Sequence, residues 1–228
     1  MMHFVTNPDR DISILANDIA LTSPEGFWSE FGRLANASYF NAYQNTRFDP
    51  EVGKPDEKAD RGIRRRSYLN NAFRKISETW PEFVTVSDVC VGPDNGSNNH
   101  VEMKMGKYVV THHHLSGYKT LPAQSKYLLQ NFELNDELEQ MELIPLREYV
   151  PEKEFQKPFN LLVLHREDPE SPGEVGVIEL VFANENNRLA TFSISEIVAI
   201  QVRISEMAPE ELFDFKFRHE EEKRNRKA

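Results

Sequence analysis

Between Trp80 and Phe83 the apolar pattern changes its period, and this change does most to limit the folds open to the chain. Upstream, Phe27, Phe31, Leu34, Ala35 and Ala42, with Trp28 and Tyr39 beside them, recur at helical spacing. They give a broad apolar face over several turns. Ser23-Pro24-Glu25 reads as the start of that helix: a capping serine, a first-turn proline, and an acid near the positive helix end. After a proline- and glycine-bearing loop, RFDPEVGKPDEK, a second helix is expected to carry Ile63, Leu69, Ala72, Phe73 and Ile76 inward. Its arginines are expected on the other side, and Pro81 closes it. From Phe83, FVTVSDVCV alternates through Val84, Val86 and Val89, which is the period of a strand.

Further along, Gly92-Pro93-Asp94-Asn95-Gly96 is a dense turn signal, and HVEMKMGKYVVTHHHL reads as a hairpin bending at Gly106-Lys107. AQSKYLLQNFELNDELEQMEL reads as a helix or helix-loop, and ELIPLREYV as a return to strand. FNLLVLHRE, EVGVIELVFA and LATFSISE read as three strands joined by SPG and NENN turns. Ser195-Glu196 opens an apolar helix, and Pro209-Glu210-Glu211 begins the last one. The expected class is α+β: N-terminal helices packed on a mainly antiparallel sheet, with C-terminal helices. Residues 1–80 would form the helical part and 81–228 the sheet part, or the two would make a single domain.

No run approaches the roughly 18 apolar residues of a membrane span, and the N-terminus lacks a basic segment followed by an apolar one. The single cysteine, Cys90, leaves no internal disulfide and fits a reducing compartment. Set in an alternating apolar strand, it reads as packing rather than as a nucleophile. A cytoplasmic protein is therefore expected. The net charge of −10 works against broad binding of nucleic acid. Residues 61–66 (RGIRRR) are locally basic, however. Arg64, Arg65 and Arg66 are open to three readings: intramolecular or solvated pairing, a protein interface, or a nucleic-acid patch. Arg64→Glu combined with Arg65→Glu is expected to leave folding intact, and loss of the cooperative melt would show those side chains to be structural.

The hairpin concentrates the candidate chemistry. A two-residue turn with Gly106 first, of type II′, sets Met105 across from Tyr108 and Met103 across from Val110. One face is then apolar. The other carries His100, Glu102 and Lys104 opposite His113, Thr111 and Val109. His100, His113 and Glu102 could hold a divalent metal of the zinc type. Alternatively, Pro93-Asp94 with Glu102-Met103-Lys104 resembles the PD-(D/E)xK nuclease pattern. That likeness implies a divalent metal on Asp94 and Glu102, with Lys104 for charge or proton work. The third reading leaves the outer face polar and solvated. Downstream, QNFEL resembles the short peptides that dock on the bacterial replication sliding clamp, with Gln130 as polar key and Phe132 and Leu134 as anchors. The competing reading is an amphipathic helix packed on the sheet through Tyr127, Leu128, Phe132 and Leu138. Glu179, within GVIELVFA, is expected to point outward by alternation.

The order RRRSYLNNAF, VEMKMGKYVVTHHHL, LPAQSKYLLQNF and the pair FNLLVLHRE…VGVIELVF resembles that of small bacterial proteins encoded in prophage, defence or toxin–antitoxin settings. The resemblance implies a cytoplasmic effector or partner-binding protein acting through macromolecular contacts, with a cognate neutralising protein as one possible partner. A metal-dependent nuclease and a structural or oligomeric module are the alternatives, and no membrane role is expected.

Overall fold

Two three-stranded meanders joined by one parallel pair make the sheet. The computed structural model describes residues 8–90, 99–115, 121–123, 125–135 and 158–227. Three helices come first: α1 (Pro8–Thr22), α2 (Phe27–Arg47) and α3 (Glu57–Thr79). Strands β1 (Val84–Cys90), β2 (Asn99–Met105) and β3 (Tyr108–His114) follow, then α4 (Lys126–Phe132) with a 3-10 turn (Glu133–Asn135). Strands β4 (Phe159–Glu167), β5 (Val175–Ala183) and β6 (Arg188–Ser193) lead to α5 (Ile194–Glu206) and α6 (Pro209–Lys227). The six strands lie in sequence order, and only β3 and β4 run parallel. A parallel pair needs a crossover, and α4 lies within it.

The crossover puts helices on both faces of the sheet. On one face Phe27, Phe31, Phe73 and Ile76 of the N-terminal helices share a core with Met103, Val110, Leu161 and Phe182. On the other, Leu128 and Phe132 of α4 pack on Leu162, Leu164, Val181 and Ala183. Strand β4, covered on both sides, is therefore an almost unbroken apolar run. Asn135, fully buried, fixes the crossover to the sheet: its amide donates to the carbonyls of Asn160 and Ala183 and accepts from Asn160 N. Among the described residues no helix is long and apolar enough to cross a membrane.

The hairpin bends where expected. Gly106 has φ 53°, Lys107 is not in the positive-φ region, and Met105 pairs with Tyr108 and Met103 with Val110. That is the type II′ pattern. The turn is docked on α1: Lys107 Nζ lies 2.6 Å from the Asp18 carboxylate, to which Tyr108 also donates. A Cβ on Gly106 would stand 2.6 Å from Thr22 Cγ2. Gly106→Ala therefore meets both a disfavoured φ and a clash. It is expected to cost about 2 kcal/mol in chemical denaturation, and a parental midpoint would place the bend elsewhere.

Four expectations are corrected. Ser23 does not cap α2, which starts from Gly26 at φ 75°. Instead the Ser23 hydroxyl donates to Ile19 O and accepts from Trp28 Nε1 and Gln201 Nε2, tying α1, α2 and α5 together. In α3, Ile63 is 70% exposed while Arg65 is buried, because Leu69, Phe73 and Ile76 set the inner face and Arg65 lies one turn before Leu69. Ser193 rather than Ser195 caps α5, in a reciprocal pair with Glu196. The outer hairpin face is not left to solvent: Val109 and Thr111 are buried, and Tyr127 of α4 covers His100. Asp94, its turn, Leu138 and ELIPLREYV lie outside the described residues.

Candidate functional site

The ladder between β2 and β3 spans three residue pairs, from Met105–Tyr108 to Met103–Val110. Beyond it, rings from both faces of the hairpin line a cavity of about 310 Å³. His100 comes from β2, and His112, His113 and His114 from β3. The parallel register sets His114 beside His165 of β4, which completes the five. Arg65 and Arg66 of α3 close the far wall.

Behind the cavity runs a directed chain of hydrogen bonds. His112 Nε2 donates to Asn70 Oδ1 at 2.7 Å, which leaves its Nδ1 as an acceptor. His165 Nε2 donates to that Nδ1 at 3.3 Å, and His165 Nδ1 in turn accepts from the Tyr39 hydroxyl at 2.6 Å. Both rings are thereby satisfied as neutral imidazoles. Phe73 packs against the first ring and Tyr39 against the second.

The electrostatics agree with neutrality. Burial first, and then the neighbouring His113 and Arg66, holds His112 down at about 3. Burial, with His100 and Arg66, brings His113 to about 4. His165 lies well below the usual imidazole range through burial and its contact with His112. His100 and the exposed His114 are also lowered, by burial and then by Arg66 for the former and by Arg65, Arg166 and Lys58 for the latter. Apart from burial, every named cause is a positive or titratable nitrogen group. His113 Nε2 is buried and has no hydrogen-bond partner among the described residues.

The arginines divide. Arg64 is held by Asp49 and Asp60 at 2.5 and 2.6 Å, an arrangement internal to the chain. Arg65 lies over the Tyr39 ring at 4.9 Å and 3.6 Å from Glu167. Both are thus engaged within the chain, and Arg65 in addition lines the histidine cavity. Arg66 also faces the cavity and has interactions of its own within the chain.

The other expected site residues disperse. His100 and His113 do meet, with ring centroids 5.9 Å apart. Glu102, however, accepts from the Tyr127 hydroxyl at 2.8 Å. Among the described residues no three His, Cys, Asp or Glu side chains converge so as to hold a metal. Lys104 is exposed, and Asp94 lies outside the described residues. Gln130 is exposed and Leu134 half-buried, but Phe132 is only 2% exposed. A clamp-docking anchor must be free to leave its own protein, and Phe132 is part of a core. Glu179 is half-buried and pairs with Arg188 at 2.7 Å.

Tyr39, Asn70 and His165 were missed by sequence reasoning. For His165 a signal existed: it interrupts FNLLVL, an apolar run that a buried strand would otherwise continue. No family model matches the sequence, and no curated protein or solved structure matches it either.

Proposed function

We propose that the chain acts by binding nucleic acid, with the histidine–arginine cavity as the seat of a phosphate group. One observation carries the reading: five imidazoles line a concavity with Arg65 and Arg66, and the charges that hold these rings low, Arg65, Arg66, Arg166 and Lys58, are positive, with Glu167 set 3.6 Å from Arg65. Such a site repels a metal cation and favours an anion. Guanidinium and imidazole N–H groups are the donors that phosphate oxygens accept from. A bound anion also raises the imidazole pKa values, so binding takes up protons. This gives a physical basis to an effector that works through macromolecular contacts in a bacterial cytoplasm. It is preferred over the metal-dependent nuclease because Glu102 is bonded to Tyr127 and faces α4.

The test is titration with inorganic phosphate and with a short oligonucleotide, followed through the imidazole nitrogen resonances and by calorimetry in two buffers of different ionisation enthalpy. Binding should tighten roughly tenfold from pH 8 to about pH 6, take up protons, and weaken roughly tenfold in Arg66→Ala. Unmoved histidine signals, or an affinity independent of pH, would rule the cavity out as a phosphate site.

A further inference from the structure

A second concavity, of about 270 Å³, lies along the same two helices and is lined by Tyr43, Thr46 and Arg47 of α2 and Glu57 and Arg61 of α3. It adjoins the histidine cavity through one carboxylate. Arg61 and Arg65, one from each cavity, stand 3.5 and 3.6 Å from Glu167. The α2–α3 seam repeats itself once per turn: Arg65 lies over Tyr39 at 4.9 Å and Arg61 over Tyr43 at 5.8 Å. Four residues advance a helix by about 6 Å, a repeat on the scale of one nucleotide unit in an extended strand. At the far end, the Arg47 guanidinium lies 5.7 Å from the centre of the Tyr43 ring and 5.8 Å from that of Phe48, and Phe48 is 72% exposed.

We infer that the ligand is a single-stranded nucleic acid that places successive phosphates in the two arginine cavities and stacks a base on Phe48. The inference rests on the phosphate reading of the histidine cavity and gives it a substrate class. An exposed ring beside an arginine, as Phe48 beside Arg47, suits sequence-tolerant strand binding, because every base offers a π-face. Glu57 and Glu167 offset part of the positive charge, so a lone phosphate gains little and a run of phosphates gains more. That balance also suits a chain of net charge −10, which must select a strand without holding every polyanion.

The experiment is fluorescence anisotropy with labelled uridine mono-, tri- and hexanucleotides and a hexamer duplex, on the full chain and on Arg47→Ala/Phe48→Ala. Both side chains lie at the exposed end of α2, and an unchanged melt is the folding control. Affinity should rise about tenfold from mono- to trinucleotide in the parent, and the variant should lose that rise while inorganic phosphate still shifts the histidine resonances. Equal affinity at every length, equal affinity for the duplex, or an unaffected variant overturns the inference. Loss of phosphate binding to the parent instead overturns the reading beneath it, so the two failures are distinguishable.

Discussion

Arg65→Glu is expected to cost about 3–5 kcal/mol, enough to leave much of the population unfolded at room temperature if the parent is an ordinary domain. The parent guanidinium is buried between the Tyr39 ring and the Glu167 carboxylate, which also accepts from Gly173 N at 3.0 Å. A glutamate there faces Glu167, which keeps Arg61 at 3.5 Å, and two carboxylates in a partly dehydrated site repel strongly. Arg65→Met separates the contributions, since it keeps much of the packing on Tyr39 and removes the charge. It should fall between parent and Arg65→Glu. Arg64→Glu, at half-buried pairs with Asp49 and Asp60, should lose less than Arg65→Glu. Denaturant midpoints of the three variants decide the matter. Equal stability of Arg65→Glu and parent would mean that the guanidinium is not lodged in the seam.

Such an outcome would reverse the expectation that both arginines can be inverted harmlessly, and the reason shows what the sequence could disclose. The hairpin was legible because Gly106 carries the turn alone: a positive φ before a non-glycine residue leaves one bend, and the bend fixes the register of every side chain around it. The inner face of α3 was less so. An arginine between apolar positions is normally assigned to solvent, yet a long stem can pack inward when a carboxylate and an aromatic ring from elsewhere meet its head. Those partners, Glu167 and Tyr39, are distant in the chain and unknowable from local pattern. The same holds for the candidate site. Four of its histidines stood in the hairpin, but the fifth arrives through the parallel β3–β4 pairing, and Tyr39 and Asn70 through the packing of α2 and α3 on the sheet, neither of which periodicity encodes. Likewise the outer hairpin face looked solvated because nothing in its own residues foretold that the crossover would lay Tyr127 across it.

The buried imidazoles also make stability depend on pH in a window where few other groups titrate. His112 sits at about 3 and His113 at about 4, against an ordinary value of 6.5. Above that value both rings are neutral in the folded and unfolded chain, and they contribute no pH dependence. Below it the unfolded chain binds protons that the folded chain refuses, so folding weakens as pH falls, until the folded-state values are reached. The slope is about 1.4 kcal/mol per pH unit for each ring. By about pH 5 both rings act in the same destabilising direction. The groups facing them, Arg65 and Arg66 on α3, His100 on β2 and His165 on β4, are positive or neutral, so none offsets the loss. The lowered carboxylates Glu30 and Asp49 act only at still lower pH and cannot mimic it. Denaturant midpoints measured between about pH 7.5 and pH 5 should therefore slope toward lower stability at acid pH, with His112→Gln flattening the profile. A flat parental profile would mean that the rings are hydrated and free to charge. If the cavity takes phosphate, an oligonucleotide should shrink the same slope, because the anion lets the folded chain accept the protons it otherwise excludes.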